Sequence, residues 1–172
     1  MDVNSPAGIA PSSRVLLVSD WRTDPDGVIT ACRERTAGGD VAFALVVPAW
    51  LHGLDWVGDP TASRPCAGRQ LDALTLLAAS AGLDVRHAGV GDPDPTSAVD
   101  DALQHFAATE ILLCRDRWRR GHPVDLSHRL RRMTGLPVDT RPIRSRRERR
   151  ERRRWRAVID GGHCAVEPSR TR

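Results

Sequence analysis

Apolar residues in this chain follow two rhythms that alternate along its length. Residues 14–20 (RVLLVSD) and 41–47 (VAFALVV) are short, nearly continuous apolar runs, as in strands buried on both faces. Residues 27–37 between them predict a helix that ends near Gly38 and Gly39. Pro48 closes the second run, and a long connection follows to Pro65. Residues 66–82 predict another helix, with Leu71, Leu74, Leu77, Ala78 and Ala81 gathered on one side and Gly82 as its stop. Residues 83–90 alternate, with Leu83, Val85, His87 and Gly89 set against Asp84, Arg86 and Ala88, which predicts a third strand.

Next comes GVGDPDPTSAVDDAL. Asp94 is placed to cap a helix, with Pro95 at its first position, where the missing N–H is no loss. Val99, Ala102, Leu103 and Phe106 then fall at i, i+3, i+4 and i+7. Asp100 and Asp101 lie off that face and are expected to meet water. The four aspartates therefore divide between a turn and a solvated helix face. They do not form one acidic cluster. Residues 110–115 (EILLCR) predict a fourth strand. Leu126, Leu130 and Met133 mark a helix ended by Gly135, and residues 136–141 are a weaker fifth strand whose Pro137 suits a sheet edge.

Strands and helices alternating at this spacing imply an α/β fold built from βαβ units. The expected architecture is one five-stranded, mostly parallel sheet flanked by helices, a Rossmann-like or flavodoxin-like three-layer sandwich. Such sheets bind ligands beyond the carboxyl ends of their strands, where strand order reverses. With the order 3-2-1-4-5, the crevice falls between strands 1 and 4. Ser19, Asp20 and residues 115–120 would line it.

Composition narrows the class. The 172 residues suit one domain, and no apolar run approaches the roughly 20 residues that cross a bilayer. The first residues lack the basic and apolar regions of a secretory signal, which implies a cytoplasmic protein. Cys32, Cys66, Cys114 and Cys164 are far apart, without the paired spacing of a zinc or redox motif. His52, His122, His128 and His163 lack metal-ligand spacing. No G-x-S-x-G or P-loop pattern occurs.

The net charge of +4 conceals a division. Residues 1–140 carry 14 Arg against 18 acidic side chains, a formal −4, whereas residues 141–157 carry 10 Arg against 2 Glu, a formal +8. Lysine is absent. Residues 1–13 are expected to be disordered, residues 14–140 to form the domain, and residues 141–172 to be an Arg-rich helical or disordered extension. Residues 144–156 suit a helix, with Glu148 four residues before Arg152 and Glu151 three before Arg154. Arg144, Arg146, Arg147, Arg149, Arg150, Arg152, Arg153, Arg154 and Arg156 could contact nucleic acid or an anionic surface, or simply be solvated.

The succession RVLLVSD, FALVVPA, VGDPDPTSAVDDAL, TEILLC and GLPVD, over roughly residues 14–140, resembles the universal stress protein domain in its divergent actinobacterial form. The resemblance implies a five-stranded parallel sheet, homodimers through the fifth-strand edge and, in some members, ATP binding. Asp20 matches the aspartate that ends strand 1 in ATP-binding members. Val46, Pro48, Val90 and Gly91 would supply the backbone around an adenine. The family's Gly-x2-Gly-x9-Gly-Ser/Thr motif after strand 4 is replaced by CRDRWRRGHPVDLSHRL, whose one glycine is Gly121. Phosphates of ATP or another adenine nucleotide would then be held by the side chains of Arg115, Arg117, Arg119 and Arg120. Those arginines could instead pair with Asp20, Asp24 and Asp26, or face water.

Trp50, His52 and Trp56 in the long connection are either a lid over the crevice or a hydrophobic pin. Three functions follow: a non-enzymatic, universal-stress-like regulatory domain holding a nucleotide weakly; a nucleic-acid or anionic-surface binder acting through its tail; or a nucleotide hydrolase.

Overall fold

The computed structural model describes residues 13–51, 63–116 and 126–145. Nine elements alternate in the order β1 (Ser13–Ser19), α1 (Pro25–Thr36), β2 (Val41–Pro48), α2 (Arg64–Ser80), β3 (Asp84–Gly91), α3 (Pro95–His105), β4 (Glu110–Asp116), α4 (Leu126–Thr134) and β5 (Val138–Ile143). The five strands form one sheet in the order β3-β2-β1-β4-β5. Every neighbouring pair is parallel. The expected fold class is present, and the strand order is the one that puts the crevice between strands 1 and 4.

The apolar runs explain the centre of the sheet. All eight residues of β2 are buried, as are Val15, Leu16, Leu17 and Val18 of β1 and Ile111, Leu112, Leu113 and Cys114 of β4. Period-two alternation sends each run into two cores. Val15, Leu17, Phe43, Leu45, Leu112 and Cys114 pack beneath α1 and α2. Leu16, Val18, Ala44, Val46, Ile111 and Leu113 pack beneath α3 and α4. Gly82 (φ 69°) and Gly135 (φ 70°) take left-handed conformations just past α2 and α4, as helix stops require.

Three details depart from the sequence pattern. β3 does not keep one alternation: its register with β2 shifts between Phe43 and Ala44, so that Phe43 pairs with Val85 while Ala44 pairs with His87. Arg86 is the extra residue of a bulge. Leu83 and Val85 pack with the α1/α2 core, whereas His87 turns to α3 and stacks on His105, ring centroids 5.7 Å apart. β5 begins only at Val138, leaving Pro137 outside it and placing Pro142 within an edge strand. Finally, Arg144 and Ser145 do not open a helix. The Asp24 amide donates to the Arg144 carbonyl (2.9 Å), and Thr23 bridges antiparallel to Ser145.

At the amino end of the sheet an ion cluster ties α1 to β4 and β5. Arg35 reaches Glu110 (3.1 Å) and Asp139 (2.7 Å), and Arg141 reaches Asp139 (2.9 Å) and Glu34 (3.2 Å). Burial would raise the Asp139 carboxyl, but the hydrogen bond and charge of Arg141, with Arg35, outweigh it and hold it below its ordinary value. Among the described residues, no helix is long and apolar enough to cross a membrane.

Candidate functional site

β1 is the strand from which the chain winds outward in both directions, so the reversal of strand order lies between β1 and β4. The turn leaving β1 there is a tightly bonded polar knot. Ser19, Asp20 and Thr23 are all buried. The Asp20 amide donates to the Cys114 carbonyl (3.1 Å), which continues the β1/β4 ladder by one step. The Thr23 hydroxyl donates to the Asp20 carbonyl (2.6 Å) and lies 2.9 Å from the Ser19 hydroxyl. One Asp20 carboxylate oxygen accepts the Arg22 amide (3.0 Å). One carboxylate oxygen is thus held by its own turn where the strand order reverses.

Two residues that sequence reasoning passed over hold this knot. Gln70, fully buried on α2, donates from Nε2 to the Thr23 carbonyl (3.1 Å) and hydroxyl (3.2 Å). Its spacing from Leu74 and Ala78 puts it on the buried face, but a glutamine there gave no apolar signal. Trp21 donates its indole N–H to the Trp50 carbonyl (2.9 Å) and carries the Arg22 guanidinium 4.9 Å above its ring. Trp50 packs partly buried against the α3/α4 core. His52 and Trp56 lie outside the described residues.

The remaining expected nucleotide contacts separate into groups. Pro48 and Gly91 pair at the carboxyl end of β2 and β3, and the Ala49 amide donates to the Gly91 carbonyl (3.2 Å). Val46, Val90 and Gly91 line a groove of about 310 Å³ between β3 and α3, together with Arg64, His87, Asp101 and His105. Asp20 is not among its lining residues. Arg115 is in β4, one residue beyond the Cys114 that pairs with Ser19. It forms no ion pair with Asp20, Asp24 or Asp26 among the described residues. Arg117, Arg119 and Arg120 lie outside the described residues, as do Arg146, Arg147, Arg149, Arg150, Arg152, Arg153, Arg154 and Arg156.

The Asp-Pro stretch behaves as its spacing predicts. Asp94 caps α3, its carboxylate accepting the Thr96 amide (3.2 Å) and hydroxyl (2.5 Å). Asp92 accepts the Asp94 amide (2.7 Å), and Asp100 and Asp101 are exposed. The buried thiols are poor nucleophiles. Burial pushes Cys32 up to about 12 and also raises Cys114, which has Cys32 as a neighbour. No group of three or more potential metal ligands occurs among the described residues.

No family sequence model matches the chain, and no curated protein is similar to it in sequence. Solved structures are similar to it in fold. A universal stress protein from Archaeoglobus fulgidus superposes with a TM-score of 0.52 at 15% identity, covering 76% of this chain and 93% of that one. A universal stress protein family protein from Arabidopsis thaliana, solved with AMP bound, gives 0.51 at 13% identity over 79% and 94%. A member of the same family from Burkholderia pseudomallei gives 0.49 at 20% identity over 76% and 96%. The chain has the fold of the universal stress proteins, as the succession of segments in its sequence implied.

Proposed function

We propose that this universal-stress-type domain is a non-enzymatic regulatory module that binds an adenine nucleotide, such as AMP or ATP, at the carboxyl edge of its sheet. The observation that carries the reading is Asp20, a carboxylate fixed by its own turn at the reversal of strand order. There it can accept hydrogen bonds from a ribose or a base. The AMP bound by the Arabidopsis protein of the same fold supports the choice of ligand class. In this reading Val46, Pro48, Val90 and Gly91 would supply the wall on the β2/β3 side and Arg115 a cation on the β4 side. A thermal-shift series with ATP, ADP, AMP and adenosine on the full chain tests this. A ligand at 100 times its Kd stabilises by about 2.7 kcal/mol. No shift at millimolar ligand removes nucleotide binding.

A second reading concerns the Arg-rich segment. The backbone of Arg144 and Ser145, just before it, is pinned beside the Thr23–Asp24 turn. The segment's charge suits a polyanion, either nucleic acid or an anionic surface. A second copy of the chain would pair along β5, an edge strand of the sheet. Sedimentation of the full chain tests that pairing.

A further inference from the structure

We infer that Arg22, mounted on Trp21, is the receptor for the phosphoryl group of the nucleotide, in place of a glycine-rich phosphate loop. The inference rests on the nucleotide reading above and names the part of the site that meets negative charge. Four observations converge. Trp21 and Arg22 directly follow Asp20, at the carboxyl end of β1, where the crevice opens. The Trp21 ring is held at both ends. Its N–H donates to the Trp50 carbonyl (2.9 Å), and its carbon surface packs against the α1/α2 core. The Arg22 guanidinium lies over that ring at 4.9 Å, and the Arg22 amide is bound to the Asp20 carboxylate (3.0 Å), so the residue is restrained at both ends. Among the described residues the guanidinium forms no ion pair and no side-chain hydrogen bond.

Arg14 is likewise stacked, its guanidinium 4.8 Å from the Phe106 ring, but at the amino end of β1, away from the reversal of strand order. Arg35, Arg86 and Arg141 each spend their donors on carboxylates. Arg22 is half-buried, with its face covered by an indole and its in-plane N–H groups unspent among the described residues. Stacking on an aromatic face leaves the edge of a guanidinium available, and that edge matches two phosphate oxygens. A fork already fixed in place loses little side-chain entropy when an anion arrives. The pair also gives the crevice a direction. Asp20 accepts from the hydroxyl or amino groups of a nucleoside, and Arg22 donates to its phosphate. A phosphate loop uses backbone N–H groups, which need glycines; the segment after β4 contains only Gly121. A side-chain fork has no such requirement.

Isothermal titration of the full chain with AMP, adenosine and pyrophosphate tests the assignment in wild type, Arg22→Gln, Arg22→Lys and Trp21→Phe. The ratio of AMP to adenosine affinity is expected to fall at least tenfold in Arg22→Gln. It should fall several-fold in Arg22→Lys, which keeps the charge but loses the fork, and stay within twofold of wild type in Trp21→Phe, which keeps a ring. Equal AMP and pyrophosphate binding by wild type and Arg22→Gln overturns the assignment and leaves nucleotide binding standing. Pyrophosphate bound through Arg22 with neither AMP nor adenosine bound supports the anion receptor and overturns the adenine reading. A wild-type chain that binds none of the three overturns both.

Discussion

At Gly91 an added Cβ would stand 2.4 Å from the Cβ of Ala98 and 3.2 Å from Cγ1 of Val46. The glycine is there because α3 crosses the end of β3 at backbone contact. Gly91→Ala is therefore expected to push α3 off the sheet, at about 1–3 kcal/mol in urea unfolding, as overpacking does. Three residues on, Asp94 makes a prediction of a different kind. Burial pulls its carboxyl upward, but the Thr96 hydroxyl and amide, the charge of Arg129 and the Ser97 hydroxyl outweigh burial and hold it below its ordinary 3.8. A carboxyl depressed in the folded state contributes stability that is complete above its unfolded value and is lost as pH falls through the folded one. Asp94→Ala should thus cost about 1 kcal/mol at pH 7, the usual worth of an N-cap. The difference from wild type should shrink below pH 4. Chemical denaturation at pH 7 and pH 2.5 measures both, and an unchanged gap at the lower pH contradicts the assignment.

Between elements, the contact that organises the candidate site is α2 against the β1–α1 turn, through Gln70. Its Nε2 serves two Thr23 acceptors, while its buried Oε1 finds no donor among the described residues. Gln70→Leu removes an unpaired acceptor but strips the Thr23 carbonyl of its donor. These effects oppose each other, and the net change is expected within about 1 kcal/mol. Gln70→Glu instead places a second acceptor against the Thr23 carbonyl and buries a charge, costing about 3 kcal/mol or more. Thermal melts of the two variants should therefore separate clearly; equal melting temperatures would contradict this account of Gln70.

The same contact explains what the sequence could and could not show. The alternation of strands and helices, the helix stops at Gly82 and Gly135, and the Asp94 cap were legible because each follows from local periodicity or from one residue's backbone preference. The bulge at Arg86 was not. Leu83, Val85, His87 and Gly89 still alternate on paper, and only pairing with β2 reveals the change of face. Gln70 and the Trp21–Arg22 stack were hidden for a related reason. Both depend on partners 47 and 29 residues away in the chain, Thr23 and Trp50. No short window of sequence contains them.

Over the whole molecule, formal charge is divided unevenly along the chain. Residues 1–140 carry a formal −4, and Arg141 and Arg144 reduce that to −2 by Ser145. The eight arginines between Arg146 and Arg156 stand against only Glu148 and Glu151. Cutting after Ser145 keeps β5 intact to Ile143 and preserves the bridge from Ser145 to Thr23. Cutting at Asp139 would remove most of β5, together with Arg141 from the ion cluster. The comparison that isolates the extension is therefore the full chain against residues 1–145. If the extension neutralises phosphates, each contact releases about one counterion, and log K should fall against log salt with a slope of about −0.7 to −0.9 per phosphate. Engagement of half or more of the eight arginines predicts a slope near −3 or steeper on single-stranded nucleic acid, with little dependence on base sequence. Residues 1–145, carrying net negative charge, should show no measurable binding under the same conditions. Fluorescence anisotropy with a labelled oligonucleotide from 50 to 200 mM salt provides both numbers. Equal binding by the two chains would move the polyanion site onto the domain. A flat salt dependence would remove phosphate contact altogether.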